Sequence, residues 1–310
     1  MKRTALAHTD LEVSSLCLGG NVFGWTADEK NSAEVLDAYV DAGGNFIDTA
    51  DMYSSWAEGH EGGESETIIG KWMKERGHRS SIVVATKVAK LQSRPGLSAA
   101  NIEAACDDSL RRLQTDYIDL YYAHEDDASV PMEETLGAFG RLVEAGKVRA
   151  IAASNFEAPR LAEALRFSKD NSLPRYVAVQ PQYSLLSRGT FEGELEGVCR
   201  DSALSVFPYW ALASGYLTGK YKAGPVDSPR SVGIERYGDL PQADAVLATL
   251  ARIAQHKSAS IASIALSWCL SHPSVPSVIA SARNVAQLSQ LIHLTELSDE
   301  ERAALNAASA

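Results

Sequence analysis

Residues 81–124 read SIVVATKVAKLQSRPGLSAANIEAACDDSLRRLQTDYIDLYYAH. Two segments within this stretch, SIVVATK (81–87) and YIDLYYAH (117–124), are nearly continuous apolar runs. Strands with that pattern are buried on both faces, as in a parallel sheet. Between them Ser98 precedes an apolar-periodic run, a start signal for a helix over 98–113. The stretch therefore predicts a strand, a crossover helix and a second, parallel strand.

The same alternation continues in both directions. Upstream lie SLCLG (15–19) and NFID (45–48); downstream lie KVRAIAAS (147–154), RYVAVQ (175–180), LSVFPY (204–209) and PSVIAS (276–281). Helix-like segments fall at about 31–42, 65–76, 131–145, 157–169, 190–202, 241–271 and 284–293, with Pro131 at a helix start. Eight strand–helix units in 310 residues predict an α/β fold, a closed (β/α)8 TIM barrel. A doubly wound open sheet is the alternative, but it usually has fewer units and a Gly-rich turn after its first strand. No Pro/Ser linker or composition shift divides the chain, so residues 1–310 are expected to form one domain. Two loops, 48–64 and 212–239, are longer than a barrel needs, and such loops are more often functional than idle.

Composition narrows the function classes. Hydrophobic residues make up 45% and charged residues 22%, which supports a large buried core rather than disorder. A net charge of −11 with scattered Lys and Arg offers no footprint for nucleic acid and no basic patch for an anionic membrane. Cys17, Cys106, Cys199 and Cys269 lie far apart without ligand spacing, so neither a metal site nor a disulfide framework is expected. The N-terminal MKRTALAHTD lacks an apolar h-region, and no segment approaches a membrane span. The expected compartment is a reducing cytoplasm.

In a barrel of this type the active site forms where strands end and βα loops begin. Polar residues at the predicted strand ends are Asp48, Lys87, His124, Ser154 with Asn155, and Gln180, and Tyr53 follows Asp48 in the same loop. Singly, each has an ordinary alternative: Asp48 as a turn former, Lys87 as a snorkelling surface residue, His124 as a structural histidine. Together they put an acid, an ammonium and an imidazole at successive strand ends, and buried charges persist only when paired. Tyrosine has an unperturbed pKa of ~10, and a nearby ammonium favours its phenolate. Tyr53 with Lys87 and Asp48 therefore suits a general acid for carbonyl reduction, with His124 orienting and polarising the carbonyl oxygen. None of these side chains supplies a hydride, so a redox reading requires a bound nicotinamide.

IDTADMYSSWAEGHEGGESETIIGKWMKERG (47–77) followed by IVVATKV (82–88) resembles the signature of the aldo-keto reductases. So do DYIDLYYAHEDD (116–127) with PMEETLGA (131–138), GKVRAIAASNF (146–156) and FPYWALASGYLTGKY (207–221). The resemblance spans essentially the whole chain and includes the branch of bacterial reductases and potassium-channel β subunits. It implies the (β/α)8 fold, NADPH as cofactor with NADH possible, a small-molecule carbonyl substrate, and the roles just given to Asp48, Tyr53, Lys87 and His124. Asp48 also counts among the implied cofactor contacts. Ser154 and Asn155 would bind the nicotinamide carboxamide with Gln180 beside them, and Tyr209 would stack on the ring. Trp210, Ala211, Leu212, Ser214 and Gly215, onward to Lys220, match the loop over the pyrophosphate, with Arg230 as a second contact. Gly215 and Gly219 would let that backbone approach closely. Ser281, Arg283, Gln287 and Gln290 align with the adenosine-phosphate end. A helix N-terminus near Asn284 would offer free N–H groups there, and Arg283 would bind a 2′-phosphate. Leu291, Ser281 and Trp210 depart from the residues more usual in the family.

GHEGGE (59–64) lacks the spacing of a phosphate loop, and the adjacent residues His124, Glu125, Asp126 and Asp127 cannot all face one ion. Phe23, Trp25 and Trp56 are expected to line the substrate mouth. Such apolar walls admit aromatic or aliphatic carbonyls, while Ser54, Ser55 and Glu58 near Trp56 leave a hydroxylated substrate such as a keto sugar open. Three function classes follow: a carbonyl reductase, a non-redox barrel enzyme such as a metal-assisted isomerase, and a cofactor-redox-sensing binding module related to channel β subunits.

Overall fold

The structure, a computed structural model, describes residues 1–220 and 234–310. The chain opens with an antiparallel hairpin, β1 (Arg3–Ala5) and β2 (Glu12–Ser14), which the sequence reading did not anticipate. Three-residue strands are too short to carry a period-two signal. The staves that follow are β3 (Leu16–Gly19), β4 (Phe46–Asp48), β5 (Val83–Val88), β6 (Ile118–Ala123), β7 (Val148–Ser154), β8 (Tyr176–Gln180), β9 (Ser205–Val206) and β10 (Val278–Ala280). They pair in parallel in the order β10-β3-β4-β5-β6-β7-β8-β9. Backbone bonds from Val206 N to Ser274 O (2.8 Å) and from Ile279 N to Pro208 O (3.2 Å) join the segments at the two ends of that order. The result is the (β/α)8 barrel.

Alternation along the staves divides the core in two. Phe46, Val83, Ala85, Leu120, Tyr122 and Phe207 form an inner layer, joined by Leu6, Leu11 and Val13 from the opening hairpin. Ile47, Val84, Tyr121 and Ile151 face outward instead, into the larger core beneath the helices. Those helices are α1 (Glu29–Asp41), α2 (Glu64–Arg76), α3 (Ala99–Leu113), α4 (Met132–Glu144), α5 (Ala158–Asp170) and α6 (Glu194–Asp201). Ser98 caps α3 by accepting the Asn101 N–H, as its position in the sequence suggested. No helix among the described residues is long and apolar enough to cross a membrane.

The C-terminal third corrects the expected boundaries. After α7 (Glu235–Gly238), the expected single helix over 241–271 is two, α8 (Ala243–Lys257) and α9 (Ile261–Leu270). Ser258 takes a left-handed φ of 51° and Ser260 caps α9 through the Ser263 N–H, so local cap chemistry overrides a continuous apolar pattern. The helix expected over 284–293 is the short α10 (Val285–Ser289), and α11 (Asp299–Ala308), not foreseen, starts from a Ser298–Glu301 capping box.

Tyr39 of α1 ties the hairpin to the barrel. Its buried hydroxyl lies 2.8 Å from Ser14 Oγ, donates to the Leu16 carbonyl at 2.6 Å and accepts from Phe46 N at 3.1 Å. Tyr39→Phe is expected to cost about 1–3 kcal/mol by leaving these groups short of a partner. The urea midpoint reports it, and an unchanged midpoint would show the hydroxyl to be dispensable.

Candidate active site

Strand register assembles the site. Asp48 pairs with Ala85 and Lys87 with Tyr122. Because side chains alternate, Asp48, Ala85, Lys87, Tyr122 and, two residues on, His124 share the inner side of the barrel wall. The fully buried Lys87 Nζ donates to Asp48 Oδ2 at 2.7 Å, to the Thr49 carbonyl at 2.7 Å and to Tyr53 Oη at 2.9 Å. All three ammonium hydrogens therefore have acceptors. Asp48 Oδ2 also accepts from the Tyr53 hydroxyl at 3.2 Å, and its Oδ1 accepts from Gln180 Nε2 at 2.9 Å. Burial pushes the Lys87 ammonium below its ordinary range, and the Asp48 carboxylate opposes that shift.

The Tyr53 and His124 rings lie 6.2 Å apart between centroids. Burial, then the positive charges of Lys87 and Lys90, hold His124 well below its usual value, so its ring is neutral at neutral pH. Its Nδ1 is buried without a partner among the described residues. A buried N–H lacking an acceptor is costly, so the ring proton belongs on Nε2.

Behind Lys87 lies a second set of buried charges. Glu66 of α2 accepts from Thr86 Oγ1 at 2.5 Å and from Arg112 Nε at 2.6 Å. Asp51, on the loop that carries Tyr53, is 1% exposed, and neither carboxyl oxygen has a partner among the described residues. Burial, then the Glu66 carboxylate, push Asp51 up to about 7.

Above this floor a cavity of roughly 610 Å³ runs across the C-terminal ends of the strands. Asn155, at a left-handed φ of 54°, donates to the His124 carbonyl at 2.8 Å and accepts from Tyr209 Oη at 2.7 Å. Ser154 Oγ donates to the Gln180 carbonyl at 2.9 Å. Trp210, Ala213, Ser214 and Gly215 have φ values of 52°, 47°, 57° and 102°. Left-handed backbone of this kind gathers N–H groups into a concavity that suits an anion, although here Ala213 N and Gly215 N already donate to the Trp210 and Leu212 carbonyls at 2.7 and 2.9 Å. Arg283 also lines the cavity, with no ion pair to its guanidinium found among the described residues. This donor set fits a long ligand with anionic phosphates.

The expected residues are distributed unevenly. Asp48, Tyr53, His124, Ser154, Asn155, Gln180, Tyr209, Trp210, Ala211, Leu212, Ser214, Gly215 and Lys220 line the cavity, as do Ser281, Arg283, Gln287, Gln290 and Trp56. Lys87 sits beneath it, and Arg230 lies outside the described residues. Phe23 is a correction: it is fully buried in the core, at a tight turn where its carbonyl accepts from Ser54 Oγ at 2.9 Å. Trp25 is likewise off the cavity wall and packs edge-on against Trp56, with ring centroids 5.6 Å apart. The N–H groups expected to be free near Asn284 are partly taken: Asn284 Oδ1 accepts from Gln287 N at 2.9 Å, and Gln287 Oε1 accepts from Arg283 N at 3.0 Å. Sequence reasoning missed Asn21, Thr26, Met52 and Lys90, all on the cavity wall. Asn21 and Lys90 stand two residues beyond the ends of β3 and β5, so a search past the strand ends would have found them.

The Aldo/keto reductase family profile matches residues 15–310. The chain is 36% identical to the uncharacterized oxidoreductase YrpG of Bacillus subtilis, over 96% of this chain and 92% of that one. It is 33% identical to the aldo-keto reductase YhdN of the same organism, over 99% and 93% of the two chains. It is also 34% identical to a probable voltage-gated potassium channel subunit beta of Oryza sativa, over 93% and 89%. The chain belongs to the aldo/keto reductase family, and its barrel is that of an oxidoreductase.

Asp51 makes stability depend on pH. Its folded value of about 7 is raised above the ordinary 3.8, so its contribution is present in acid and is lost as pH rises from about 4 through 7. Asp51→Asn is therefore expected to raise the melting temperature relative to wild type more at pH 8 than at pH 5. An equal difference at both values would mean that Asp51 titrates normally.

Proposed function

We propose that the chain is an NADPH-dependent cytoplasmic reductase of aldehydes or ketones, with NADH bound more weakly. The observation that best supports this is one ammonium, Lys87, bonded at once to Asp48, the Thr49 carbonyl and the Tyr53 hydroxyl, beside a neutral His124. When bound, the nicotinamide supplies the hydride. Ser154 and Asn155, with Gln180 beside them, would hold its carboxamide, and the Tyr209 ring would lie on its face. The backbone from Trp210 to Gly215, with Lys220, would receive the pyrophosphate. Arg283, with Gln287 and Gln290, would hold the adenosine-phosphate end, its guanidinium suiting a 2′-phosphate.

The chain's own groups handle the proton. His124 Nε2–H donates to the carbonyl oxygen, orienting it and polarising the bond. The Tyr53 hydroxyl, which points to Asp48 in the resting site, turns to that oxygen and gives up its proton as the alcohol forms. Lys87, 2.9 Å from Tyr53 Oη, stabilises the phenolate left behind, and Asp48 holds the ammonium in place.

The test is NADPH oxidation followed at 340 nm against a panel of aldehydes and ketones. Turnover is expected for at least one aldehyde, and Tyr53→Phe is expected to lower kcat by about 100-fold or more. If neither NADPH nor NADH binds in fluorescence titration, the reading is wrong. Arg283→Ala is expected to weaken NADPH at least about tenfold while affecting NADH far less, as loss of a charge-assisted phosphate contact requires. Equal weakening of both would remove Arg283 from that role. The similarity to a protein named as a channel β subunit supports a second reading, a module that senses cofactor redox state. Tight NADPH binding without turnover of any carbonyl would favour it.

A further inference from the structure

The cavity wall divides by topology. The dinucleotide groups proposed above follow β7, β8, β9 and β10, whereas Val22, Thr26, Met52, Trp56, Lys90 and His124 follow β3 to β6. Asn21, also after β3, accepts from Ser281 Oγ at 2.6 Å and so belongs with the dinucleotide side. Trp56 and His124 stand beside Tyr53, which leaves the wall they share with Met52 and Lys90 for substrate. The apolar groups of this half are Val22, Met52 and Trp56, the last 44% exposed with Trp25 packed edge-on behind it. They stand beside polar Asn21, Thr26, Lys90 and His124. Lys90 supplies the cation of this half among its described residues.

Three observations single out Lys90. It lies three residues beyond Lys87, and the chain turns sharply between the two at Ala89. Ala89 has a φ of 118°, a value glycine adopts readily and alanine rarely, and is buried. The turn is clamped on both sides, by Gly96 N donating to the Ala89 carbonyl at 2.8 Å and His124 N donating to the Val88 carbonyl at 2.9 Å. Such strain persists where surrounding structure enforces it, and it gathers at functional sites. The turn brings a second lysine of the same segment to the cavity, close enough to His124 to oppose its protonation. Finally, the ion partner of Lys90 is Glu125 at 3.1 Å, with the two side chains 35% and 45% exposed. Pairs this open to solvent contribute little, so Glu125 does not commit the ammonium.

We propose that Lys90 binds an anionic group of the substrate, and that the substrate is an aldehyde or ketone with an aromatic or extended apolar body bearing a carboxylate. The inference rests on the carbonyl-reduction reading and adds a substrate class to it. The apolar body lies against Trp56 and Met52 while the carbonyl meets Tyr53 and His124. A single ammonium with an acid beside it suits a monoanionic carboxylate better than a dianionic phosphate, which Glu125 repels more strongly.

The experiment compares 4-carboxybenzaldehyde with its neutral methyl ester, methyl 4-formylbenzoate, as substrates of the full chain with NADPH. Wild type is expected to favour the acid by about tenfold or more in kcat/KM, mainly through KM, with the preference falling as salt is added. Lys90→Met is expected to bring the ratio close to one, and Lys90→Arg to keep most of it. Glu125→Gln, a surface change that spares the turn, is expected to raise the ratio. A ratio the same in wild type and Lys90→Met overturns the inference, as does a Glu125→Gln variant whose ratio is unchanged or lower. If another aldehyde of the panel is turned over but neither of these two is, this inference alone is overturned. If NADPH binds and no carbonyl is reduced, the reductase reading fails and the inference falls with it. Turnover of both aldehydes with an unmoved ratio overturns this inference alone.

Discussion

An ammonium and a carboxylate, both sealed from water, set the conditions for the rest of this barrel. Lys87 and Asp48 are 0% and 2% exposed at their side chains and 2.7 Å apart. Desolvating two charges is expensive, and removing one partner from such a pair typically costs about 3–5 kcal/mol. The pair survives because the donors and acceptors of its own two side chains are filled. Thr49 contributes a carbonyl, Tyr53 a hydroxyl and Gln180 an amide. Those same groups hold Tyr53 at the cavity floor, so the interactions that make the buried charges tolerable also aim the acid.

Around this centre the electrostatics are graded. His124 stays neutral because it is buried and faces two lysines, which keeps it a hydrogen-bond donor rather than a competing acid. Behind Lys87 the balance is less complete. Glu66 has Thr86 and Arg112, while Asp51 has no partner for either carboxyl oxygen among the described residues. A protonated Asp51 relieves that layer of a surplus negative charge. The loop carrying Asp51 and Tyr53 thus touches both layers and couples them.

Much of this was legible in the sequence, for reasons that can be named. Apolar runs ending in Asp48, Lys87 and His124 marked both the staves and the mouth of the barrel, because a strand buried on both faces has no other place for a charge than its end. Where the reading failed, short-range chemistry or side-chain direction had won. Ser258 and Ser260 split one apolar-periodic segment into α8 and α9. Phe23 sits in the expected loop, yet its ring turns into the core, and the spacing of a loop residue does not say which way it points. Lys90 went unnoticed because a lysine two residues past a strand looks like any surface lysine until the turn at Ala89 is seen.

The sequence alone determined the order of the eight staves and of helices α1 to α6, and which ionisable groups stand at the strand ends, since both follow from local periodicity and from the cost of burying charge. Its family motifs carried the expectation of a nicotinamide and a carbonyl. Only the tertiary structure decided which of those groups meet. Strand register brought Lys87 to Asp48 and Tyr53. Helix packing brought Glu66 and Arg112 behind them, from α2 and α3. A strained turn brought Lys90 back to the cavity. These are contacts between residues far apart in the chain or across an unusual backbone angle, and their geometry depends on how whole elements pack, which no local pattern of residues encodes.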